Sequence, residues 1–253
     1  MTDLTNEAAT VVPAALVPAS VVWSQAVRTD AEPDVLFPEE AALLGRAVLK
    51  RRREFTTVRA CAREAMAGLG LPPTPVLPGK RGEPGWPQGV VGSMTHCDGY
   101  RAAALAPSTA ARSIGIDAEP HAPLPEGVLG IVSLEAERER GQRIAAGAWG
   151  ADTVHWDRLL FSAKESVFKA WYPLAHRELD FSDAELTFEA EPAPAAPATG
   201  GPALQGTFRA RLLPSADIPE EFPLTGFDGR WVIHDGFVVT AIVVPPATVP
   251  AAR

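Results

Sequence analysis

The stretch SIGIDAEP, residues 113–120, ends an apolar run with two carboxylates one residue apart. Ile114 and Ile116 alternate with small or acidic residues, which is the period of a half-buried strand. Side chains two residues apart on a strand project from the same face, so Asp117 and Glu119 are predicted to lie side by side. Like charges at this separation raise each other's pKa unless a cation lies between them. The stretch predicts a cation site or, with equal weight, a solvated strand end.

Two long helices are predicted, one on each side of this strand. The first lies in FPEEAALLGRAVLKRRREFTTVRACAREAMAGLG, residues 37–70, where Pro38 suits the first helical position. Its apolar stripe is formed by Leu44, Val48, Phe55, Val58, Ala62 and Met66. The second helix lies in TVHWDRLLFSAKESVFKAWYPLAH, residues 153–176, and Pro173 is expected to bend or stop it. Its inward face is formed by Leu160, Ala163, Val167, Ala170 and Trp171.

Strands follow each helix. VVGSMTHCDGYRAAALA, residues 90–106, predicts a hairpin that turns at Asp98-Gly99, and RWVIHDGFVVTAIVV, residues 230–244, predicts another that turns at Asp235-Gly236. Further strands are predicted in residues 179–190 and 204–213, a helix around residues 134–146 and a mobile loop in residues 191–203. A helix followed by antiparallel strands in both halves predicts an α+β fold.

The bulk composition excludes several classes of protein. The formal net charge of −8 argues against general nucleic-acid binding. No apolar run approaches the roughly 20 residues that a bilayer-spanning helix needs, and the acidic N-terminal segment lacks the basic region of a secretory signal. Cys61 and Cys97 are the only cysteines. Without metal-type spacing they indicate reduced thiols in a cytoplasmic protein.

Basic residues are concentrated in two places. Seven of the 23 lysines and arginines fall between Arg46 and Arg63. Because the four successive cations Lys50 to Arg53 repel one another, a phosphate partner explains them better than a solvated helix face does. The segment Gly79-Lys80-Arg81-Gly82 lies in a loop rich in proline and glycine, and it suits a backbone that closes on a phosphate.

The second helix carries a further set of charges. Glu165 and Lys169 are four residues apart and share a face, with Lys164 on the flank. Such a pair is usually a surface salt bridge, but here bulky apolar residues surround it, which indicates a cleft wall. Carboxylates without a cysteine and histidine cluster favour Mg²⁺ or Mn²⁺ over zinc, and Mg²⁺ commonly completes its shell with phosphate oxygens. Together these residues indicate chemistry on a phosphoanhydride.

Three segments carry a family resemblance: GSMTHCDGYRAAALA (92–106), SIGIDAEP (113–120) and FSAKESVFKAW (161–171). In order and approximate spacing they resemble the signature segments of the Sfp/EntD-type 4′-phosphopantetheinyl transferases. The helix segment RRREFTTVR and the loop segment GEPGWP resemble those of the actinobacterial branch. The resemblance implies transfer of the phosphopantetheine arm of coenzyme A to a serine of an apo acyl or peptidyl carrier protein, with release of 3′,5′-ADP.

The resemblance also implies an architecture. It is a pseudo-twofold pair of α+β subdomains, each a long helix packed on a small antiparallel sheet, with the active site between them. Residues 1–122 would form the N-terminal subdomain and residues 123–253 the C-terminal one. The family further implies a monomer whose partners are coenzyme A and a carrier protein of fatty-acid, polyketide, nonribosomal-peptide or siderophore synthesis.

Roles carry over from the family by position. Asp117, Glu119 and Glu165 would hold Mg²⁺, for which Mn²⁺ is a substitute, and Glu165 would also be the general base. Lys169 would stabilise charge on the phosphates, and Lys164 would assist. The residues implied to bind coenzyme A are Arg51, Arg59, Lys80, Arg81, Gly82, Thr95, His96, Asp117, Glu165 and Lys169. This chain has Pro78 where close relatives begin the basic loop with lysine.

Two other functions would use the same residues. A metal-dependent pyrophosphohydrolase of coenzyme A or nucleotides needs the carboxylates and cations but no carrier protein. A non-catalytic regulator that binds coenzyme A needs the basic residues alone. The presence of Asp117, Glu119, Glu165 and Lys169 together argues against the regulator, because a pure binder has no need of a base.

Overall fold

The computed structural model describes residues 16–32, 35–149, 154–191, 204–220 and 224–246. Its strands form two antiparallel sheets. The three-stranded sheet has the order β1-β3-β2, with β1 Val22–Val27, β2 Val90–Cys97 and β3 Tyr100–Pro107. The five-stranded sheet has the order β4-β8-β7-β6-β5, with β4 Ser113–Pro120, β5 Ala184–Glu191, β6 Leu204–Leu212, β7 Gly226–His234 and β8 Phe237–Val244.

Each sheet is covered by one long helix. The helices are α1 Pro38–Leu44, α2 Leu49–Gly68, α3 Val128–Val132, α4 Glu135–Arg143 and α5 Trp156–Ala175. Helix α2 packs on β1 and β3 through small residues such as Ala62 and Ala65, and α5 packs on β4 and β8 through Ala163 and Val167. The predicted α+β class is confirmed, whereas the pseudo-twofold similarity of the halves stays a prediction.

The single helix predicted for residues 37–70 is wrong in one respect. The chain leaves the helix after Leu44 and re-enters it at Leu49, because Gly45 adopts a φ of +44°. Arg52 stabilises the break by donating hydrogen bonds to the carbonyl oxygens of Ala47 (2.9 Å) and Gly45 (2.6 Å). Val48 is consequently 72% exposed and lies outside the predicted apolar stripe.

The second half follows its prediction more closely. Helix α5 does not stop at Pro173, one of the two outcomes expected there, but continues to Ala175 and ends where His176 adopts a left-handed φ of +51°. Both predicted hairpins are present and turn at Asp98-Gly99 and Asp235-Gly236. Residues 134–146 contain α4 and the beginning of a π-helical turn. Of the predicted mobile loop, residues 192–203 lie outside the described residues.

Strand β4 joins the two sheets. It is hydrogen-bonded along its length to β8, with Asp117 opposite Thr240, so it is an edge strand of the five-stranded sheet. Its other side faces β2, where the hydroxyl of Ser93 accepts the N–H of Ile116 (3.1 Å) and the hydroxyl of Thr95 accepts the N–H of Ala118 (3.0 Å). The carboxylates of β4 therefore lie at the junction of the two halves. A division of the chain at residue 122 stays a prediction.

Candidate active site

Asp117 is the most buried of the predicted site carboxylates. Asp117 is 5% exposed, and its Oδ1 accepts hydrogen bonds from Lys169 Nζ (2.7 Å) and the hydroxyl of Thr95 (3.2 Å). Its Oδ2 is buried and has no hydrogen-bond partner among the described residues. A buried carboxylate oxygen without a partner is costly. The site therefore has unused capacity for a cation.

Small residues on β4 bring α5 close enough for this contact. A Cβ on Gly115 would overlap the carbonyl oxygen of Ser166 and lie 2.7 Å from the backbone nitrogen of Ala170. The hydroxyl of Ser113 donates a 2.8 Å hydrogen bond to the Ala170 carbonyl, which fixes the helix on the strand. Lys169 then reaches β4, where it also donates to the carbonyl of Ile116 at 3.1 Å.

Glu119 lies beyond Asp117 on the same face of β4, as predicted for residues two apart on a strand. Its Oε2 accepts a 2.8 Å hydrogen bond from Arg158 Nη1. The other nitrogens of Arg158 donate to the carbonyl oxygens of Ala122 (3.0 Å) and Pro123 (2.8 Å). The start of α5 is therefore hydrogen-bonded to the residues that follow β4. Burial, and then the charge of Asp117, raise the pKa of Glu119 above its ordinary value, while Arg158 opposes them.

Glu165 precedes Lys169 by about one turn of α5. Burial raises the pKa of the Glu165 carboxyl, Lys169 opposes that effect, and the charge of Asp117 adds to it. Glu119 and Glu165 are thus both destabilised as anions by burial and by Asp117. The environment favours proton acceptance by Glu165, or a cation shared among the carboxylates.

The residues present fit a divalent cation of the Mg²⁺ type. Within the described ranges, no three acidic, histidine or cysteine side chains are gathered as a ready-formed metal centre. Asp117 and Glu119 are instead paired with Lys169 and Arg158. The unsatisfied Oδ2 of Asp117 and the raised pKa values of its neighbours nevertheless match what a hard cation would relieve.

A basic cavity of about 790 Å³ opens beside Glu165 and Lys169, which line it, whereas Asp117 and Glu119 lie outside its lining. Residues from both halves of the chain line it, and its charged and titratable lining includes Arg51, Arg59, Arg81, Glu83, His96, Arg112, Glu165, Lys169 and His176. Cations therefore outnumber acidic side chains on its walls. A cavity of this charge attracts a polyanion and would bring it next to Lys169, which contacts Asp117.

Arg51 and His96 form one wall of this cavity. Their Nη1 and Nε2 atoms are 3.1 Å apart. Burial lowers the pKa of His96 below its ordinary value, Glu54 opposes that effect, and Arg51 adds to it. The lowered pKa favours the neutral ring of His96, which can offer Arg51 an acceptor nitrogen. Of the four successive cations Lys50 to Arg53, Arg51 lines the cavity, while Arg52 holds the α1–α2 break.

Arg59 is buried in the same wall. It donates to the carbonyl of Val76 through Nε (3.2 Å) and Nη2 (3.0 Å), and its guanidinium lies over the ring of Phe55. Burial lowers the pKa of Arg59 to about 10, against the opposing charge of Glu40. The side chain remains a cation at neutral pH, and its geometry is fixed before any ligand binds.

The basic loop contributes some of its predicted residues and not others. Arg81 and Gly82 line the cavity, and Lys80 is exposed and lies outside the lining. Arg81 forms an ion pair with Glu178, which follows α5 in the other half of the chain. Thr95 is buried and is hydrogen-bonded to both Asp117 and Ala118, so it orients the carboxylate instead of lining the cavity.

Lys164 does not line the basic cavity. Its Nζ lies 2.8 Å from Glu137 Oε2, and the two side chains are 2% and 1% exposed. Sequence reasoning did not identify Glu137 or Arg158 as part of the site. Arg158 precedes Glu165 by seven residues and so shares its helix face, a signal that periodicity could have used. Glu137 has no comparable signal, because its partners are distant in sequence.

Comparisons with known proteins point to one family along most of the chain. Residues 39–106 match the 4′-phosphopantetheinyl transferase N-terminal domain, and residues 113–219 match the 4′-phosphopantetheinyl transferase superfamily. The 4′-phosphopantetheinyl transferase Svp of Streptomyces mobaraensis is 55% identical over 234 residues, which cover 91% of this chain and 88% of the relative. PptT of Mycobacterium tuberculosis is 50% identical over 82% of this chain and 85% of its own, and Npt of Nocardia iowensis is 52% identical over 81% and 87%. Both carry the same enzyme name.

Proposed function

Because this chain belongs to the Sfp-type 4′-phosphopantetheinyl transferases, enzymes that modify carrier proteins, we propose how its residues divide the work of that transfer. The observation that carries the proposal is the 2.7 Å contact of Lys169 with Asp117 beside a basic cavity. This arrangement supports a site in which one bound polyanion lies close both to a carboxylate that can hold a cation and to a lysine. Coenzyme A, with its pyrophosphate and 3′-phosphate, is the substrate of that chemistry.

We assign the nucleotide end of coenzyme A to the basic cavity. Arg51, Arg59 and Arg81 supply charge and hydrogen-bond donors along its walls, and His96 lines it beside Arg51. Arg59 is fixed by its bonds to Val76, so little conformational entropy is lost when an anion binds. Gly82 lets the loop backbone approach a phosphate with a φ of +87°, and Lys80 adds charge from outside the lining.

We assign the cation site to Asp117, Glu119 and Glu165. Mg²⁺, or Mn²⁺ in its place, would supply Lewis-acid polarisation of the pyrophosphate oxygens. Thr95 orients Asp117, and Arg158 orients Glu119, so both carboxylates are restrained before the substrate arrives. Lys169 places its ammonium at Asp117, where it neutralises charge that develops on the transferred phosphate.

Glu165 is the proposed base. It accepts the proton of the carrier serine while the serine oxygen bonds to the phosphorus that carries the pantetheine arm. The bond from that phosphorus to the bridging oxygen breaks, and 3′,5′-ADP leaves with the electron pair. Burial raises the pKa of Glu165, which makes its carboxylate a better proton acceptor near neutral pH. Glu165 and Phe168 line both the basic cavity and a smaller crevice, so Glu165 borders the two openings at once.

The remaining features of the account are also proposals. The partner is an apo acyl or peptidyl carrier protein, and residues 1–122 and 123–253 act as two subdomains with the site between them. We expect a monomer that works in the cytoplasm, in keeping with two free, buried cysteines. No helix in the described part of the chain has the length and apolar character needed to cross a bilayer.

Replacement of Glu165 by Gln tests the proposal. The variant should bind coenzyme A with a Kd within about threefold of the parent, because the cavity cations are unchanged, while transfer falls by about 10²–10⁴-fold. Equal losses of binding and transfer would show that Glu165 serves the ligand and not the proton. Consumption of coenzyme A without modification of a carrier would indicate the hydrolase, and binding without either reaction would indicate the regulator.

A further inference from the structure

A buried ion pair on the flank of α5 lies outside the lining of the basic cavity. Lys164 Nζ donates to Glu137 Oε2 at 2.8 Å and to the carbonyl oxygen of Phe181 at 2.7 Å. The two charged side chains are 2% and 1% exposed, so no ligand in the basic cavity can reach them directly. A lysine in this position is not available to a phosphate.

Glu137 extends the pair into a network. Its Oε2 accepts the N–H of Leu134 at 2.7 Å, and its Oε1 accepts the N–H of Leu186 at 2.7 Å. The pair thus joins the start of α4, the middle of α5, the turn at Phe181 and strand β5. Both oxygens of Glu137 and the carbonyl oxygen of Phe181 accept hydrogen bonds. A buried ion pair stabilises one arrangement of its surroundings when its polar atoms are satisfied in this way.

The network borders a crevice of about 230 Å³ beside the proposed base. The α5 side of the crevice is formed by Lys164, Glu165, Val167 and Phe168, and the opposite wall by Leu179, Asp180 and Phe181. The ring of Phe181 packs on that of Phe161 with centroids 6.0 Å apart. Because Lys164 holds the backbone of Phe181, its removal frees the wall that faces Glu165.

We propose that Lys164 is a positioning residue for the transfer reaction. By binding Glu137 and the Phe181 carbonyl, it fixes the width of the crevice next to Glu165 and makes no contact with the phosphates. This inference rests on the proposed function, since it takes Glu165 as the group being served. It replaces the direct assisting role that the family resemblance implies for Lys164.

A charge-removing double variant separates positioning from chemistry. Lys164→Met alone leaves the Glu137 carboxylate buried without its cation, and Glu137→Gln alone leaves the ammonium without its anion. The variant with both changes has neither charge, and its amide oxygen can accept one of the two backbone N–H groups that Glu137 binds. Each protein is assayed well below its melting temperature for kcat, for KM of the carrier and for the Kd of 3′,5′-ADP, with Lys169→Met as a comparison.

If Lys164 is a positioning residue, each single change, Glu137→Gln included, should lower kcat about tenfold or more, and the double variant, which has no unpaired buried charge, should be faster than Lys164→Met. The Kd of 3′,5′-ADP, which fills only the basic cavity, should change less than about twofold in all three. Lys164→Arg should retain more activity than Lys164→Met, which covers the case in which the methionine variant fails to fold.

Two results would overturn the inference. A folded double variant as slow as Lys164→Met, with Glu137→Gln at parental rate, would make Lys164 a catalytic group. Parental kcat in folded Lys164→Met would remove any role in the reaction. Glu165→Gln, assayed in parallel, distinguishes failure of the proposed function from failure of the inference about Lys164. Full transfer by that variant would overturn the proposed base, whatever the Lys164 variants show.

Discussion

The ammonium of Lys169 lies 2.7 Å from the carboxylate of Asp117, across the junction of helix α5 and strand β4. The contact joins the proposed phosphate-stabilising group to the proposed metal ligand in a single hydrogen bond. Thr95 holds the same Asp117 oxygen from strand β2, so both halves of the chain fix one carboxylate. Changes that move α5 on β4 should therefore affect the reaction as well as stability.

Gly115→Ala tests this dependence. The added methyl overlaps the Ser166 carbonyl and lies close to the Ala170 backbone, so α5 must move away from β4. We expect a loss of about 1–3 kcal/mol in the free energy of unfolding and a transfer rate about tenfold lower. Denaturant unfolding and single-turnover transfer measure the two effects.

Gly130→Ala is the matched control, because Gly130 lies in α3 with open space around its missing Cβ. Alanine is the better helix former there, so stability should stay equal or rise slightly. A Gly115→Ala protein with parental stability and rate would show that the close approach of α5 is not required.

Glu178→Gln should tighten binding of coenzyme A. Arg81 lines the basic cavity but is paired with Glu178, and both side chains are 56% exposed. Without the carboxylate, Arg81 is free to face the ligand phosphates. We expect the Kd of coenzyme A to fall about two- to fivefold at low salt, which calorimetry measures, and the gain to vanish near 0.5 M salt.

Glu126→Gln makes the same change in net charge at an exposed position outside the cavity lining. If it tightened binding equally, the effect would come from the overall field and not from Arg81. In an Arg81→Ala background, Glu178→Gln should have no effect.

His96 predicts a pH dependence of ligand binding. Burial lowers the pKa of His96 from the ordinary 6.5, which favours the neutral ring in the free protein. An anion in the cavity favours the protonated ring, and affinity for coenzyme A should therefore rise as the pH falls below about 6.5.

His96→Asn supplies the comparison, because the ligand's own titration is common to both proteins. The ratio of the two Kd values should widen about three- to tenfold between pH 7.5 and about pH 5.5. A constant ratio would show that His96 does not sense the bound anion.

The two cysteines should be unreactive in the folded protein. Burial raises the pKa of both Cys61 and Cys97 to about 12, so the thiolate fraction at pH 8 is negligible. A colorimetric thiol reagent at pH 8 should titrate fewer than about 0.2 thiols per chain before unfolding and two afterwards. Rapid reaction of a native thiol would mean that one of the sites is open to solvent.

The local parts of this architecture could be predicted from sequence. Alternation in SIGIDAEP placed Asp117 and Glu119 on one face, and helical spacing identified the buried side of α5 through Ala163 and Val167. These features depend on periods of two and 3.6 residues, which are written directly in the chain. The hairpin turns at Asp98-Gly99 and Asp235-Gly236 follow from turn chemistry in the same way.

Features that depend on tertiary contacts could not be predicted. Lys164 and Glu165 are adjacent on a helix that is buried on several sides, so spacing could not assign them to opposite neighbours. The pairing of β4 with β8 joins segments more than 100 residues apart. The break at Gly45 depends on a single backbone conformation and on hydrogen bonds from Arg52. The first two outcomes are decided by packing between distant segments, and the third by a local backbone conformation.

The most direct test of the account is the intact mass of an apo carrier protein after incubation with this enzyme, coenzyme A and Mg²⁺. We predict a mass gain equal to one phosphopantetheine, abolished by EDTA and, at equal enzyme concentration, by Asp117→Ala in a folded variant that still binds 3′,5′-ADP. A full mass gain in the presence of EDTA, or with Asp117→Ala, would contradict the assignment of a metal-dependent transfer to the carboxylates of β4.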